Sequence, residues 1–516
     1  MLRRRLAVPL GLALLLAGGT PAWAQPTTAS AAPTVQVSPS PGSRTVSPGS
    51  QVTLAATTAG PYRSRPDLRP PAVTVTASGA HAPGLLFTSS GVQTSTADTG
   101  VMIYDDSGQP VWFDPLPPTG QGTLQRIQYE GQDALTWFTG TQAFQGGFKG
   151  TWIVADTSYR QIGEIAAGNG LAADGHELRI SADGTKALLD IYNPVQKDMS
   201  AYGGPSNATV YEAVVQEVDL GTGAVTFEWH SLDEIPVTDS YEALTTQDVD
   251  YFHLNSLEYD TDGGILLSGR HVSQVLKLDR DAPTGSRVLW RLGGKRSTYT
   301  FPTASDAPSY PHDVRRHPDG TISLYDNAVR STQNGRGIAY RLDDAAHTAT
   351  AVHTWNHSPA VFGAIVGSNR LLDNGDELVS YGSTGTATEY DPTGTKVWES
   401  QFGGGAWTYR TLRVDGWHAL PAEPPALATE RSGTAVTGYA SWNGATEVGS
   451  WVLLAGPSTS QLRTVSAVTP RTGFETVLSG TVTAQDTVFV AEARDASGRF
   501  LRRSMGSDTS TPIQAH

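Results

Sequence analysis

Five residues of this 516-residue chain are of the types, and in the surroundings, that chemistry on a small anion needs. His176 lies in DGHELRI, His253 and Asn255 in YFHLNSLEYD, Arg270 in LLSGRH and His312 in YPHDVRRHPDG. An arginine offers planar paired donors to two oxygens of an oxyanion and keeps its charge in any pocket. An imidazole titrates close to neutrality, so an unprotonated ring is at hand as nucleophile or base. Each segment stands beside a predicted strand or turn of a repeating β pattern, at the strand-edge positions where propeller-like folds place their central pockets. Asp313 is adjacent to His312, but neighbours on a strand face opposite ways, so it is set aside as the partner of that ring.

Composition limits what else the chain can use. It contains no cysteine, which excludes disulfides, thiolate nucleophiles, Cys-ligated zinc and iron-sulfur clusters. A formal net charge of -14 disfavours nonspecific binding to nucleic acid or to an anionic membrane, both of which need a basic footprint. An anionic substrate must therefore meet a locally positive pocket. No metal-ligand set or cofactor motif is expected. The aspartates of the Asp-Gly turns are read as turn chemistry rather than calcium ligands.

The positioning elements are predicted to be strands. Residues 1–24 resemble a secretory signal, with Arg3 to Arg5, an apolar run through Leu16 and a small-x-small site ending at Ala24. The expected mature protein is secreted and soluble, without membrane insertion. Residues 25–64 are rich in Pro, Ser and Thr, with short alternating runs such as QVTLAA, and read as a linker with edge strands. From 65 to 415 two patterns return. One is a hairpin on Asp-Gly or Asn-Gly, in ISADGTKALLDIY, EYDTDGGILLSGR, RHPDGTISLYDN and RLLDNGDELVSYG. The other runs from an acidic turn into a strand with tryptophan, in IYDDSGQPVWF, EVDLGTGAVTFEW, LDRDAPTGSRVLWRLGG and EYDPTGTKVWESQF. Tandem units of several short strands predict an all-β fold, a six-bladed β-propeller whose blade cores hold Trp112, Trp229, Trp290 and Trp398. Residues 416–510 predict a C-terminal immunoglobulin-like β-sandwich with no chemistry of its own.

The segments LTWFTG, DTSYRQIGEI, DGHELRISADGTKALL, VVQEVDLGTGAVTFEWHSLDEIP, DYFHLNSLEYD, GRHVSQVLKLDR, WRLGGKRS, HDVRRHPDGTISLYDN and YRTLRVDGW, in this order, resemble the arylsulfotransferase family of secreted actinobacterial and fungal type. That resemblance implies a six-bladed propeller that moves a sulfuryl group from an aryl sulfate to a phenol through a covalent sulfohistidine, with no nucleotide donor. It implies His312 as nucleophile, with His253 and Arg270 as its catalytic companions. His253 and Asn255 form the HxN motif, and His176 is a supporting histidine. Relatives carry glutamine where this chain has Pro311, a residue that fixes φ and lacks an amide hydrogen.

Sulfuryl transfer, like phosphoryl transfer, leaves charge on peripheral oxygens in a loose transition state, so positioning and electrostatics dominate. Arg270 suits the sulfate oxygens, His253 suits proton management, and His176 and Asn255 suit substrate binding. His230, His271, His317, His347, His353 and His357 are read as surface or packing residues. Two other readings stay open: a quinone-dependent propeller dehydrogenase, and a noncatalytic propeller that binds an anion or a carbohydrate.

Overall fold

The Asp-Gly and Asn-Gly turns close the first hairpin of four successive sheets, and the acidic-turn-tryptophan units close the last hairpin of four. Gly320, at φ 85°, shows why glycine follows the aspartate: the tight turn between Pro311–Arg316 and Ile322–Asp326 needs a left-handed residue. The Asp319 carboxylate accepts from the amide and hydroxyl of Thr321, which is turn chemistry. The chain is described here from a computed structural model covering residues 52–54, 61–91, 97–117, 123–331 and 334–508. The expected leader, 1–24, and most of the stretch 25–64 lie outside the described residues.

The fold is all-β. Among the described residues, six sheets, antiparallel apart from the short parallel pairing of Asp248–Val249 with Ala208–Asp219, follow one another along the chain. The second to fifth begin with Gln125–Tyr129, Leu178–Ile180, Leu254–Tyr259 and Pro311–Arg316, and the sixth with Ser368–Leu371. The first is completed from both ends of the chain, because Trp407–Val414 pairs with Leu85–Gly91. Val73–Ala77 joins the outer edge of the sixth sheet beside Lys396–Phe402, and Val52–Leu54 pairs with Val73–Ala77.

Each sheet buries its faces against its neighbours. Trp137 and Leu135 pack on Val101 and Trp112, Leu178 on Phe138 and Trp152, and Leu254 on Val215 and Trp229. Val314 packs against Leu266, Val379 against Tyr325, and Trp398 of the sixth sheet against Met102 and Phe113 of the first. The result is a closed, propeller-like ring whose first strands face inward. Trp112, Trp229 and Trp398 are buried, as blade cores require. Trp290 is only partly buried against its cluster.

After the ring, a sheet of Ala426–Ser432, Ala435–Ser441 and Glu475–Thr481 faces a second sheet centred on Ser450–Gly456 and Val488–Arg494. The two share a core of Leu427, Trp451, Leu453, Leu478 and Phe489. This pair docks on the outermost strand of the first sheet. Asn443 exchanges hydrogen bonds with the Phe113 backbone at 2.9 Å each way, and the Gly444 amide donates to the Val111 carbonyl at 2.7 Å. It therefore touches the edge of the first sheet opposite to the inward strand Trp407–Val414. No helix among the described residues is long and apolar enough to cross a membrane.

Candidate active site

His312 is the second residue of its sheet's inward strand, paired in register with Tyr325. The ring is buried, and its Nδ1 lies 2.5 Å from the Asn327 side-chain oxygen Oδ1. The Asn327 amide cannot be turned round, because its Nδ2 already donates to the carbonyls of Gly363 at 2.6 Å and Val366 at 3.0 Å. Its oxygen therefore faces the ring, Nδ1 carries the proton, and Nε2 keeps the lone pair. Burial, Arg270 and His253 hold the His312 pKa well below its ordinary value, so the ring is neutral. Asp313, across the strand, accepts instead from Arg315, Arg370 and the Asn369 amide. It stays ionised, because its neighbouring arginines outweigh burial.

His253 sits at φ 54°, where the chain turns into Leu254–Tyr259. Its amide donates to Asp250 Oδ1 at 3.1 Å and its Nδ1 lies 2.5 Å from Asp250 Oδ2. Burial, with His176 and Arg270 nearby, lowers the His253 pKa well below the usual value, and burial raises Asp250 to about 6. His176 is held in the same way: its amide donates to Asp174 Oδ1 at 2.9 Å, and its Nδ1 hydrogen-bonds the same oxygen. The rings form a belt, with centroids of Tyr409 and His176 at 5.5 Å, His176 and His253 at 5.1 Å, and His253 and His271 at 4.6 Å. Arg270 stands across the hairpin from His253, its amide bonded to the His253 carbonyl at 2.9 Å. Its guanidinium lies 4.8 Å over the Tyr310 ring and reaches His271 Nε2 at 2.7 Å and the Ala364 carbonyl at 3.2 Å.

The structure thus brings His176, His253, Arg270 and His312 together within reach of one another's charges. Asn255 bridges two strands. Its Nδ2 donates to the Pro311 carbonyl at 2.9 Å and its Oδ1 accepts from Ser268, so the side chain ties the His253 strand to the His312 strand. Pro311 supplies the carbonyl that Asn255 grips.

His271, read as a surface or packing histidine, lies in the belt between His253 and Arg270; burial beside these two pushes its pKa down to about 4. His230 and His357 are bound to glutamates away from the belt, His230 to Glu212 and Glu228 and His357 to Glu399. Asp250, Asp174, Asn327 and His271 are the site residues that sequence reasoning passed over. Beneath the belt, Arg410 on the closing strand reaches Glu177 at 3.0 Å, Asp313 at 3.3 Å and the Asn255 carbonyl at 2.9 Å. These neighbour His176, His312 and His253 in sequence, so one arginine ties three site strands.

Among the described residues, two groups could in principle hold a metal, Asp250/His253/His271 and Asp174/His176/Asp190. Ligands of one ion with bonds of about 2.0–2.2 Å stand roughly 3 Å or more apart. In both groups a histidine Nδ1 is closer than that to a carboxylate oxygen, 2.5 Å for His253 on Asp250. They are hydrogen-bonded pairs, and an ion would enter only by spreading them. Asp190, buried against Asp174, has a pKa well above the carboxylate range, so a proton already relieves that pair.

The family model "Arylsulfotransferase (ASST)" matches residues 127–403, which include all five residues singled out from the sequence. The chain belongs to the arylsulfotransferase family. No curated protein matches this arylsulfotransferase-family chain significantly. Among solved structures, a protein of unknown function from Bacteroides caccae is similar at 14% identity and TM-score 0.39, over 65% of this chain and 100% of that one. A putative 6-phosphogluconolactonase from Bacteroides fragilis follows at 12% and 0.35, over 71% and 98%. Virginiamycin B lyase from Staphylococcus aureus stands at 10% and 0.25, over 64% and 85%.

Proposed function

We propose that this chain is an aryl sulfate:phenol sulfotransferase working through a sulfohistidine at His312, built on a six-bladed β-propeller with an immunoglobulin-like C-terminal sandwich, and acting outside the cell after removal of residues 1–24. The observation that carries the reading is the neutral His312 ring with Nε2 left free by Asn327, beside Arg270. In the first half-reaction Nε2 attacks sulfur in line, the sulfur–aryl oxygen bond breaks, and the aryl oxide leaves to take its proton from water. In the second, the acceptor's phenolic oxygen attacks sulfur, the sulfur–nitrogen bond breaks, and His253 takes the phenolic proton. His253 then gives that proton up to water and is neutral again for the next turn.

Arg270 supports the reading because a guanidinium held on His271 and Ala364 is already oriented toward oxyanion oxygens and needs no reorganisation during transfer. His176, with Nδ1 anchored on Asp174, presents Nε2 to the substrate. Asn255 is a positioning residue, since its amide joins the two catalytic strands. The test is incubation with 4-nitrophenyl sulfate, with and without a phenol. Acceptor-dependent release of nitrophenol and a sulfonated peptide containing His312 are the expected results. Release that persists in His312→Asn overturns the assignment.

A further inference from the structure

We infer that Asp250 is the positioning residue on which this site turns: its carboxylate sets the orientation of His253, and its backbone carbonyl sets that of His271, which in turn steers Arg270. The inference rests on the transfer reading above. Its first half is geometric: Asp250 Oδ2 lies 2.5 Å from His253 Nδ1 and Oδ1 accepts the His253 amide at 3.1 Å. A carboxylate accepts only, so the ring hydrogen is on Nδ1 and Nε2 is the nitrogen presented to the pocket.

The second half follows from the arginine. His271 Nε2 lies 2.7 Å from Arg270 Nη1. A guanidinium has donors and no acceptor, so His271 Nε2 must accept. Its hydrogen is then on Nδ1, which lies 2.6 Å from the Asp250 carbonyl and donates to it. Both nitrogens of His271 are thereby assigned without ambiguity. Arg270 is held at three points, His271, the Ala364 carbonyl and the Tyr310 ring, so its remaining N–H groups have one direction to point. Because the rings of His253 and His271 stand 4.6 Å apart, a shift of one displaces the other. Asp250 is thus bonded to both the base and the support of the anion-binding arginine.

The titratable and charged groups facing the Asp250 carboxylate are His253, His271, His176, Arg270, Tyr192 and Tyr211. Asp250→Asn keeps the shape and removes the charge. Its amide can donate to His253 Nδ1 and drive the ring hydrogen to Nε2. We expect kcat to fall by about 100-fold, as for loss of a base, with KM for 4-nitrophenyl sulfate little changed. Asp250→Glu should recover part of that loss. His271→Phe, which takes the acceptor from Arg270, should instead raise KM, with His271→Gln milder.

A readout that does not need turnover is the 15N spectrum of the histidine rings in the full chain. The wild type should show His253 and His271 as neutral Nδ1–H tautomers at pH 7, and Asp250→Asn should move His253 alone to Nε2–H. An imidazolium or an Nε2–H form at His271 in the wild type, or a His253 ring unmoved in Asp250→Asn, overturns the inference. Should the wild type transfer no sulfuryl group, the proposed function fails while the ring spectra still decide the positioning role. Should Asp250→Asn not fold, the wild-type spectrum alone decides it.

Discussion

Asn327 fixes the ring hydrogen of His312 on Nδ1 and leaves Nε2 with its lone pair. The oxygen of its amide receives Nδ1–H because the nitrogen of the same amide is committed to the Gly363 and Val366 carbonyls. A neutral acceptor here, against the carboxylates behind His253 and His176, keeps the His312 ring from being drawn into its charged form. In the proposed transfer, nucleophile and proton carrier are thus separated by the kind of oxygen behind each ring.

Asn327→Asp places a carboxylate behind the nucleophile. It stabilises imidazolium, so the His312 pKa rises and the acid limb of the rate profile moves toward neutral pH. The acid limb of wild type should fall near pH 6, where Asp250 takes up a proton, and that of Asn327→Asp should lie above it. A pH–kcat/KM series on the two proteins checks this. Coincident limbs would remove Asn327 from its role.

Arg270→Lys keeps the charge and loses the fork. Lysine cannot both bond His271 Nε2 and offer paired donors to sulfate, so kcat/KM should drop by about 100-fold, as for removal of one preorganised donor. Steady-state kinetics with 4-nitrophenyl sulfate measure it. Lysine activity equal to arginine would mean that a point charge suffices.

Gly146 stands at the tip of the hairpin of Gln132–Phe144 and Gly147–Asp156, and a Cβ there would lie 3.2 Å from Cε1 of His253. Its φ is 95°, so a side chain is strained as well as close. Gly146→Val should therefore lower activity through His253 while leaving the far sandwich intact. Comparison of kcat with the melting temperature separates the two effects.

Local sequence carried most of the architecture because each hairpin is a local event. ISADGTK, DTDGG, HPDGT and LDNGD each name their turn within a few residues, and the tryptophan strands mark the last hairpin of a sheet. Several site residues are also local to their strands, since His253 directly precedes Leu254–Tyr259, Asn255 lies within it, and Arg270 directly follows Ile265–Gly269. Asp250, His271 and Asn327 were not legible in this way. Asn327 meets His312 only through the register that sets Pro311 opposite Asp326. His271 gains its meaning from Arg270 folding back across the hairpin, and the sequence GRH alone gives no sign of which side the histidine takes. Arg410 is further still, since its reach to Glu177 and Asp313 exists only once the last strand closes the ring.

Glu377 provides a test of that buried centre. It lies on the inner side of the sixth sheet, its Oε1 without a hydrogen-bond partner, and burial beside Asp313 pushes its pKa up to about 8 against the opposing pull of Arg370. The folded state then binds a proton that the unfolded chain releases near 4.5. Its contribution is fully present below pH 4.5 and is lost as pH rises through about 8, so stability should decline with pH across that window. Glu377→Gln carries the shape of the protonated form without the titration. Its melting temperature should match wild type at pH 5 and exceed it at pH 8.5. Parallel thermal unfolding curves for the two proteins across this range would instead mean that Glu377 is ionised against Arg370 throughout, with the cluster beneath the histidines held by charge alone.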